Sequence, residues 1–298
     1  MKDLKKARGS SAIPLTPFKE DGEVDFDVFE KEINWICEQN VGSICGPVNV
    51  SEFMVLDGDE RKEFIKKLID VTDGRCATIV NVAAPTIKDA IKYTEFAQKC
   101  GADCVIAMPP YVGDLDFSAV KDYFKAIANA TSLPVMIQNQ RFNNISISEK
   151  MVEELCTLAP NISWVKQEVA PAPRSIERLV ALKSPHIEGI MSGFSGLYSF
   201  QDHANGAIAT IHACEYCDFI QRLWNLMDEG KMQEARDLFG ALAPALTLEG
   251  IYGWQYTKYI MQKRGIFKNR ITRNLSSHLS DASLRDIDAV WENLAKKL

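Results

Sequence analysis

Short apolar runs, several of them rich in β-branched residues, alternate along the chain with longer stretches whose apolar positions recur every three or four residues. The first pattern is that of buried strands and the second that of amphipathic helices. Strands are predicted at Ala12–Leu15, Ser43–Gly46, Ala77–Val82, Cys104–Met108, Val135–Asn139, Ser163–Glu168, Ile187–Met191 and Ala207–His212. Helices are predicted at Phe26–Gln39, Asp59–Val71, Ile87–Lys99, Ser118–Asn129, Ser148–Leu158 and Ile176–Lys183. Strands and helices alternating at this spacing predict an α/β fold closed as a (β/α)8 TIM barrel. An open doubly wound sheet competes, but no Gly-x-Gly-x-x-Gly turn follows the first strand.

After His212 the strand pattern stops. Cys214–Glu229, Lys231–Ala245, Leu248–Lys263 and Ser283–Leu298 all carry helical periodicity. The predicted division is a barrel core over 1–213, closed by a helix at about 214–229, and a C-terminal helical region over 230–298. No Gly/Ser-rich linker separates the two, so this helical appendage is expected to pack on the barrel.

One residue breaks the strand pattern. Lys166 sits inside the run Ile162-Ser163-Trp164-Val165-Lys166-Gln167-Glu168, where desolvation disfavours an ammonium group. Either the side chain reaches the surface or pairs with a carboxylate, or it is held as a free amine able to attack a carbonyl carbon and form a Schiff base.

Composition narrows the function classes. With 34 Lys plus Arg against 40 Asp plus Glu, the net charge is −6; no basic stripe appears, so nucleic acid is not an expected partner. The charged start Met1–Arg8 leads into no uninterrupted hydrophobic stretch, and no run is long enough to span a bilayer. A cytoplasmic protein with no membrane partner is expected. Cys37, Cys45, Cys76, Cys104 and Cys156 lie in or beside apolar segments and read as small buried hydrophobes. Cys214 and Cys217 form a CxxC without a second pair, a weak metal or redox signal. His186, His203, His212 and His278 form no ligand-spaced pair with Asp or Glu on one helix, so neither metal nor cofactor is expected.

In such barrels the active site lies at the carboxyl ends of the strands. Alternation puts Trp164, Lys166 and Glu168 on one face; Glu168 either relays protons or ion-pairs with Lys166 or a loop arginine. The turn Gly46-Pro47-Val48-Asn49-Val50-Ser51-Glu52 follows the second strand. It is placed to hold a small carboxylate through the backbone of Asn49, Val50 and Ser51 and a hydroxyl, or simply to cap the next helix. Gln138 closes the fifth strand and needs partners for its amide, from a ligand or from the protein. Tyr111 ends the Met108-Pro109-Pro110-Tyr111 segment after the fourth.

An ordered set of motifs spans nearly the whole chain: Ile13-Pro14-Leu15-Thr16-Pro17-Phe18, Asp21-Gly22, Asp25, the Glu52 turn with Leu56 and Glu60-Arg61, Pro109-Pro110-Tyr111, Trp164-Val165-Lys166 and Gly206-Ala207-Ile208. The chain thereby resembles the dihydrodipicolinate synthase/N-acetylneuraminate lyase family of Schiff-base aldolases and dehydratases. The resemblance implies that Lys166 forms the imine, that Ile208 joins Asn49, Val50, Ser51 and Tyr111 in binding substrate, and that the protein is a homo-oligomer, tetramer or dimer.

Departures from the family pattern narrow the expectation. Where the synthases carry a threonine and two tyrosines as a proton relay, the aligned residues are Val50, Val112 and Gln138, none of which shuttles a proton as a hydroxyl does. The arginine that synthases use for the aldehyde's carboxylate has no aligned counterpart, with Asn143 nearest and Arg141 out of register. The Asn-x-Ser-Glu turn, Gln138 and the Lys166-x-Glu168 pair are similar instead to the L-2-keto-3-deoxyarabonate dehydratases. That branch implies a 2-keto-3-deoxy sugar acid as substrate, with the imine at Lys166. The candidate catalytic residues beside it are Glu168 as base, with a water held by Gln138, Asn49 or Ser51 as the alternative, and Tyr111 as an alternative proton donor. A pyruvate-releasing aldolase, synthase-like activity and a non-catalytic keto-acid sensor are the alternatives.

Overall fold

In the computed structural model, which describes residues 2–113, 115–140, 147–274 and 278–297, eight parallel strands close a barrel in chain order. They are β1 (Gly9–Ile13), β2 (Ser43–Gly46), β3 (Ala77–Asn81), β4 (Cys104–Ala107), β5 (Val135–Gln140), β6 (Ile162–Glu168), β7 (Gly189–Ser192) and β8 (Ala209–Ala213). Each is followed by a helix: α1 (Phe26–Glu38), α2 (Gly58–Thr72), α3 (Ile87–Cys100), α4 (Phe117–Asn129), α5 (Glu149–Thr157), α6 (Ala172–Ala181), α7 (Ser199–Ala204) and α8 (Cys217–Asp228). Beyond the barrel come α9 (Met232–Tyr252), α10 (Trp254–Lys263) and α11 (Asp281–Ala295). This is the (β/α)8 barrel with C-terminal helices that the pattern predicts. No helix of the described residues is long and apolar enough to cross a membrane.

Strands buried on both faces explain why the apolar runs were continuous rather than alternating. Inside the barrel, Ile79, Ile106, Met136, Trp164, Met191 and Ile211 form one packed cluster. Trp164 fills so much of it that a Cβ on the facing Gly189 would lie 2.2 Å from its ring. Several helices start at a side-chain cap, α2 among them. The Asp57 carboxylate accepts from the backbone N–H groups of Asp59 and Glu60, while Glu60 accepts from Asp57 N, the reciprocal arrangement of a capping box.

Element ends shift by a few residues throughout, and three differences from the sequence expectation have a clear physical reason. The first strand begins at Gly9, not Ala12, because Ser10 and Ser11 are buried polar residues with partners: Ser10 Oγ bonds His212 Nε2 at 2.8 Å, and Ser43 Oγ donates to Ser11 Oγ at 2.7 Å. The short α7 has only six residues, too few to show a helical period. Finally, α9 runs unbroken through Pro244, so the predicted gap between Ala245 and Leu248 does not exist. The break comes at Gly253, with φ 53° and ψ −132°, a backbone geometry open to glycine.

The C-terminal helices are tied to the barrel by buried polar bonds. Lys258 on α10 and Glu52 after β2 are fully buried and pair at 2.6 Å. The other Glu52 oxygen accepts from Arg273 N, Asn274 N and Asn274 Nδ2, each at 3.0 Å. Arg273 then forks onto Glu60 with two 2.6 Å bonds, the bidentate geometry that favours arginine. The carboxyl end of β2 is thus clamped by residues far along the chain.

Candidate active site

Interior alternation on β5 and β6 builds the site. The two strands pair with Gln138 opposite Lys166 and Gln140 opposite Glu168, so four polar side chains stand in two tiers above the Trp164 layer. They line a cavity of about 170 Å³ at the carboxyl ends of the strands, together with Asn49, Val50, Ser195, Ile211 and Ala213.

Lys166 is 3% exposed, and its Nζ lies 3.0 Å from Glu168 Oε1. The other Glu168 oxygen accepts from Gln138 Nε2 at 2.9 Å. Gln138 Nε2 also reaches Gln140 Oε1 at 3.1 Å, and Asn49 Nδ2 donates to the same oxygen at 3.1 Å. Amine, carboxylate and three amides therefore form one connected network. It fixes which atom of each amide is nitrogen, because only N–H can donate to Glu168. It also leaves Gln138 Oε1 and Asn49 Oδ1 as buried acceptors without a partner among the described residues, an unusual cost unless something donates to them.

The remaining residues singled out in the sequence fall in different places. Asn49 and Val50 line the cavity, and the Asn49 carbonyl is held by Trp254 Nε1 at 3.1 Å. Ser51 is fully buried; its hydroxyl donates to Pro14 O at 2.7 Å and accepts from Val48 N at 3.3 Å, so it shapes the turn from behind the cavity wall. Tyr111 lies outside the wall too, with its ring edge-on to Phe53 at 5.7 Å; burial raises its phenol pKa. Ile208 packs against the interior cluster below β8 and is not among the lining residues. Arg141 and Asn143 lie outside the described residues.

Three polar residues of the cavity lining escaped the sequence reading, Gln140 of the amide network among them. Ser195 enters the cavity from the turn after β7, where Phe194 and Ser195 both have left-handed backbone, φ 54° and 56°; a strand-end position was the one available signal. His212 lines the cavity too, with both ring nitrogens used: Nδ1 bonds the Ala213 carbonyl at 2.8 Å. That oxygen can only accept, so Nδ1 carries the proton and Nε2 accepts from Ser10. Burial, with help from the nearby Lys166 charge, pushes the His212 pKa down to about 4, which keeps the ring neutral. Among the described residues no group of three or more His, Cys, Asp or Glu could hold a metal.

The sequence profile of the dihydrodipicolinate synthetase family matches residues 6–284. The chain belongs to that family. As a member of the dihydrodipicolinate synthetase family it is a lyase that works through a lysine Schiff base. Among curated relatives, the 4-hydroxy-tetrahydrodipicolinate synthase of Methanocaldococcus jannaschii is 27% identical over 241 residues, covering 78% of this chain and 79% of that protein. The L-2-keto-3-deoxyarabonate dehydratase of Azospirillum brasilense is 21% identical over 291 residues, covering 96% and 94%. A crystal structure of the Rhodopseudomonas palustris dihydrodipicolinate synthase superposes with a TM-score of 0.90 at 22% identity, covering 99% of this chain and all of that one. That likeness concerns the fold.

Proposed function

We propose that this family member dehydrates a 2-keto-3-deoxy sugar acid through an imine at Lys166. The observation that carries the reading is the Glu168 carboxylate, held 3.0 Å from Lys166 Nζ and 2.9 Å from Gln138 Nε2. A carboxylate fixed beside the imine nitrogen is placed to take a proton from C3 of the bound substrate, whose acidity the protonated imine raises. Gln138 keeps that carboxylate oriented where the synthases carry a hydroxyl relay. The partnerless acceptors Gln138 Oε1 and Asn49 Oδ1 suit a substrate that brings its own hydroxyl donors. The dehydratase relative from Azospirillum brasilense, aligned over 96% of this chain, supports the same choice. The substrate carboxylate would rest on the backbone of Asn49 and Val50.

The test is borohydride trapping with pyruvate and with L-2-keto-3-deoxyarabonate, followed by peptide mass analysis and product identification. An adduct on Lys166 and release of 2-ketoglutarate semialdehyde are expected. Pyruvate as the product of the sugar acid replaces the dehydratase by an aldolase, and a folded protein without an adduct removes the imine assignment altogether.

A further inference from the structure

Ser195 lines the same cavity as Lys166 and Glu168, and its Oγ lies 2.5 Å from Glu249 Oε1, the serine donating to an ionised Glu249 and accepting from a protonated one. Non-glycine residues keep the left-handed backbone of Phe194 and Ser195 only where their surroundings hold it. Here that conformation aims a hydroxyl at a carboxyl group from α9. Glu249 is 7% exposed and also lines an adjoining cavity of about 200 Å³ with Asn49, Val50, Trp254 and Thr257.

Behind Glu249 stands Glu215, 0% exposed, whose buried carboxyl group shares a side-chain hydrogen bond with Glu249. Two buried carboxyl groups facing each other do not both ionise. Burial pushes Glu249 up to about 7, and burial with the Glu249 charge pushes Glu215 well above the usual carboxylate range. The groups around them leave that proton in place. Arg264 donates Nε to the Glu215 carbonyl and gives its charge to Asp218 at 2.9 Å. Lys258 is taken by Glu52, and Glu32 on α1 is itself raised by burial. The Tyr216 and Tyr256 hydroxyls bond each other at 2.5 Å.

We infer that Glu249 stores the proton that Ser195 delivers to the hydroxyl leaving C4 of the substrate. This rests on the dehydratase reading above. Glu168 takes the C3 proton from the Lys166 iminium, giving an enamine. The enamine electron pair forms the C3–C4 double bond as the C4–O bond breaks. The Ser195 Oγ proton goes to the departing oxygen, water leaves, and the Glu249 carboxyl proton moves to Ser195 Oγ. One proton gained by Glu168 and one lost by Glu249 balance through solvent. The unsaturated iminium then loses a C5 proton and gains one at C3, so that hydrolysis frees Lys166 and releases the enol of 2-ketoglutarate semialdehyde. Ser195 meets the reacting atoms; Glu249 is a positioning residue that acts through it.

The experiment compares wild type with Glu249→Gln on two reactions at Lys166. One is turnover of L-2-keto-3-deoxyarabonate. The other is exchange of the C3 hydrogens of pyruvate for deuterium, which needs imine and base but no acid at C4. In the variant, dehydration kcat falls about 100-fold, a general-acid effect, while KM and pyruvate exchange stay within about threefold. Wild-type kcat declines as pH rises through about 7, where Glu249 loses its proton, and the variant lacks that limb. An unchanged kcat and pH profile overturns the inference, as does an equal fall of both reactions, which marks a structural role. If Glu249→Gln does not fold, Ser195→Ala is read by the same split. A wild type that exchanges pyruvate but dehydrates no keto-deoxy acid sinks the dehydratase reading and this inference together, leaving the imine; one that does neither sinks the imine as well.

Discussion

Gly193 leaves no room for a side chain because of Glu168: a Cβ there would lie 2.2 Å from Glu168 Oε1. That oxygen is the one facing Lys166. Gly193→Ala therefore moves the carboxylate off the amine without altering its chemistry. Turnover is expected to fall by about 10² while the fold persists, since a displacement near 1 Å suffices for losses of that order. Steady-state kinetics beside a thermal melt measure both, and a variant with wild-type turnover would show that the Glu168 position is not critical.

The Glu52–Lys258 pair predicts a stability effect rather than a catalytic one. Removing one member of a buried, hydrogen-bonded pair leaves the other charge uncompensated, at a cost of about 3–5 kcal/mol. Lys258→Met is expected to lower the urea midpoint accordingly. Adding Glu52→Gln to it should recover part of the loss, since the double variant leaves no buried charge, and equal midpoints for single and double variants would contradict the coupling.

A pH dependence follows from Glu32. Burial outweighs the Leu15 N and Cys214 bonds it accepts and raises its pKa to about 8. The unfolded chain releases this proton near the ordinary carboxylate value of about 4.3, while the folded chain retains it, so stability falls as pH rises from there towards 8. At about 1.4 kcal/mol per pH unit, the contribution is on the order of 5 kcal/mol. Glu32→Gln is expected to melt higher than wild type at pH 8 and close to it at pH 4.5. The same difference at both pH values would argue against a retained proton.

Trp254 supports the cavity wall through one bond, Nε1 to the Asn49 carbonyl. Trp254→Phe keeps most of the apolar contact and deletes that donor, a loss of about 1 kcal/mol. KM for the keto acid is expected to rise several-fold with kcat little changed. A fall in kcat at constant KM would assign Trp254 to the chemistry instead of to substrate placement.

The barrel was legible because its strands are buried on both faces, and Lys166 stood out against that background for the same reason. Strand alternation alone put Glu168 on the lysine's face, and the 3.0 Å ion pair fits both readings offered for Glu168. Other parts were hidden for physical reasons. Gly9, Ser10 and Ser11 do not look like a strand because their burial depends on partners such as His212 and Ser43. Ser51 looked like a substrate hydroxyl, but its proton goes to Pro14 O. Ser195 and Glu249 are brought together by a left-handed turn and a helix 54 positions apart, a relationship that no local spacing encodes.

The clamp on Glu52 also orders events in time. During synthesis the turn after β2 leaves the ribosome early, yet its carboxylate meets Lys258, Arg273 and Asn274 only 206, 221 and 222 positions later. A nascent chain can therefore carry all eight strands and still lack the cations and N–H groups that neutralise this buried charge. The mouth of the candidate site is finished last, and a message truncated before Arg273 encodes all eight strands while Glu52 still lacks the N–H donors of Arg273 and Asn274.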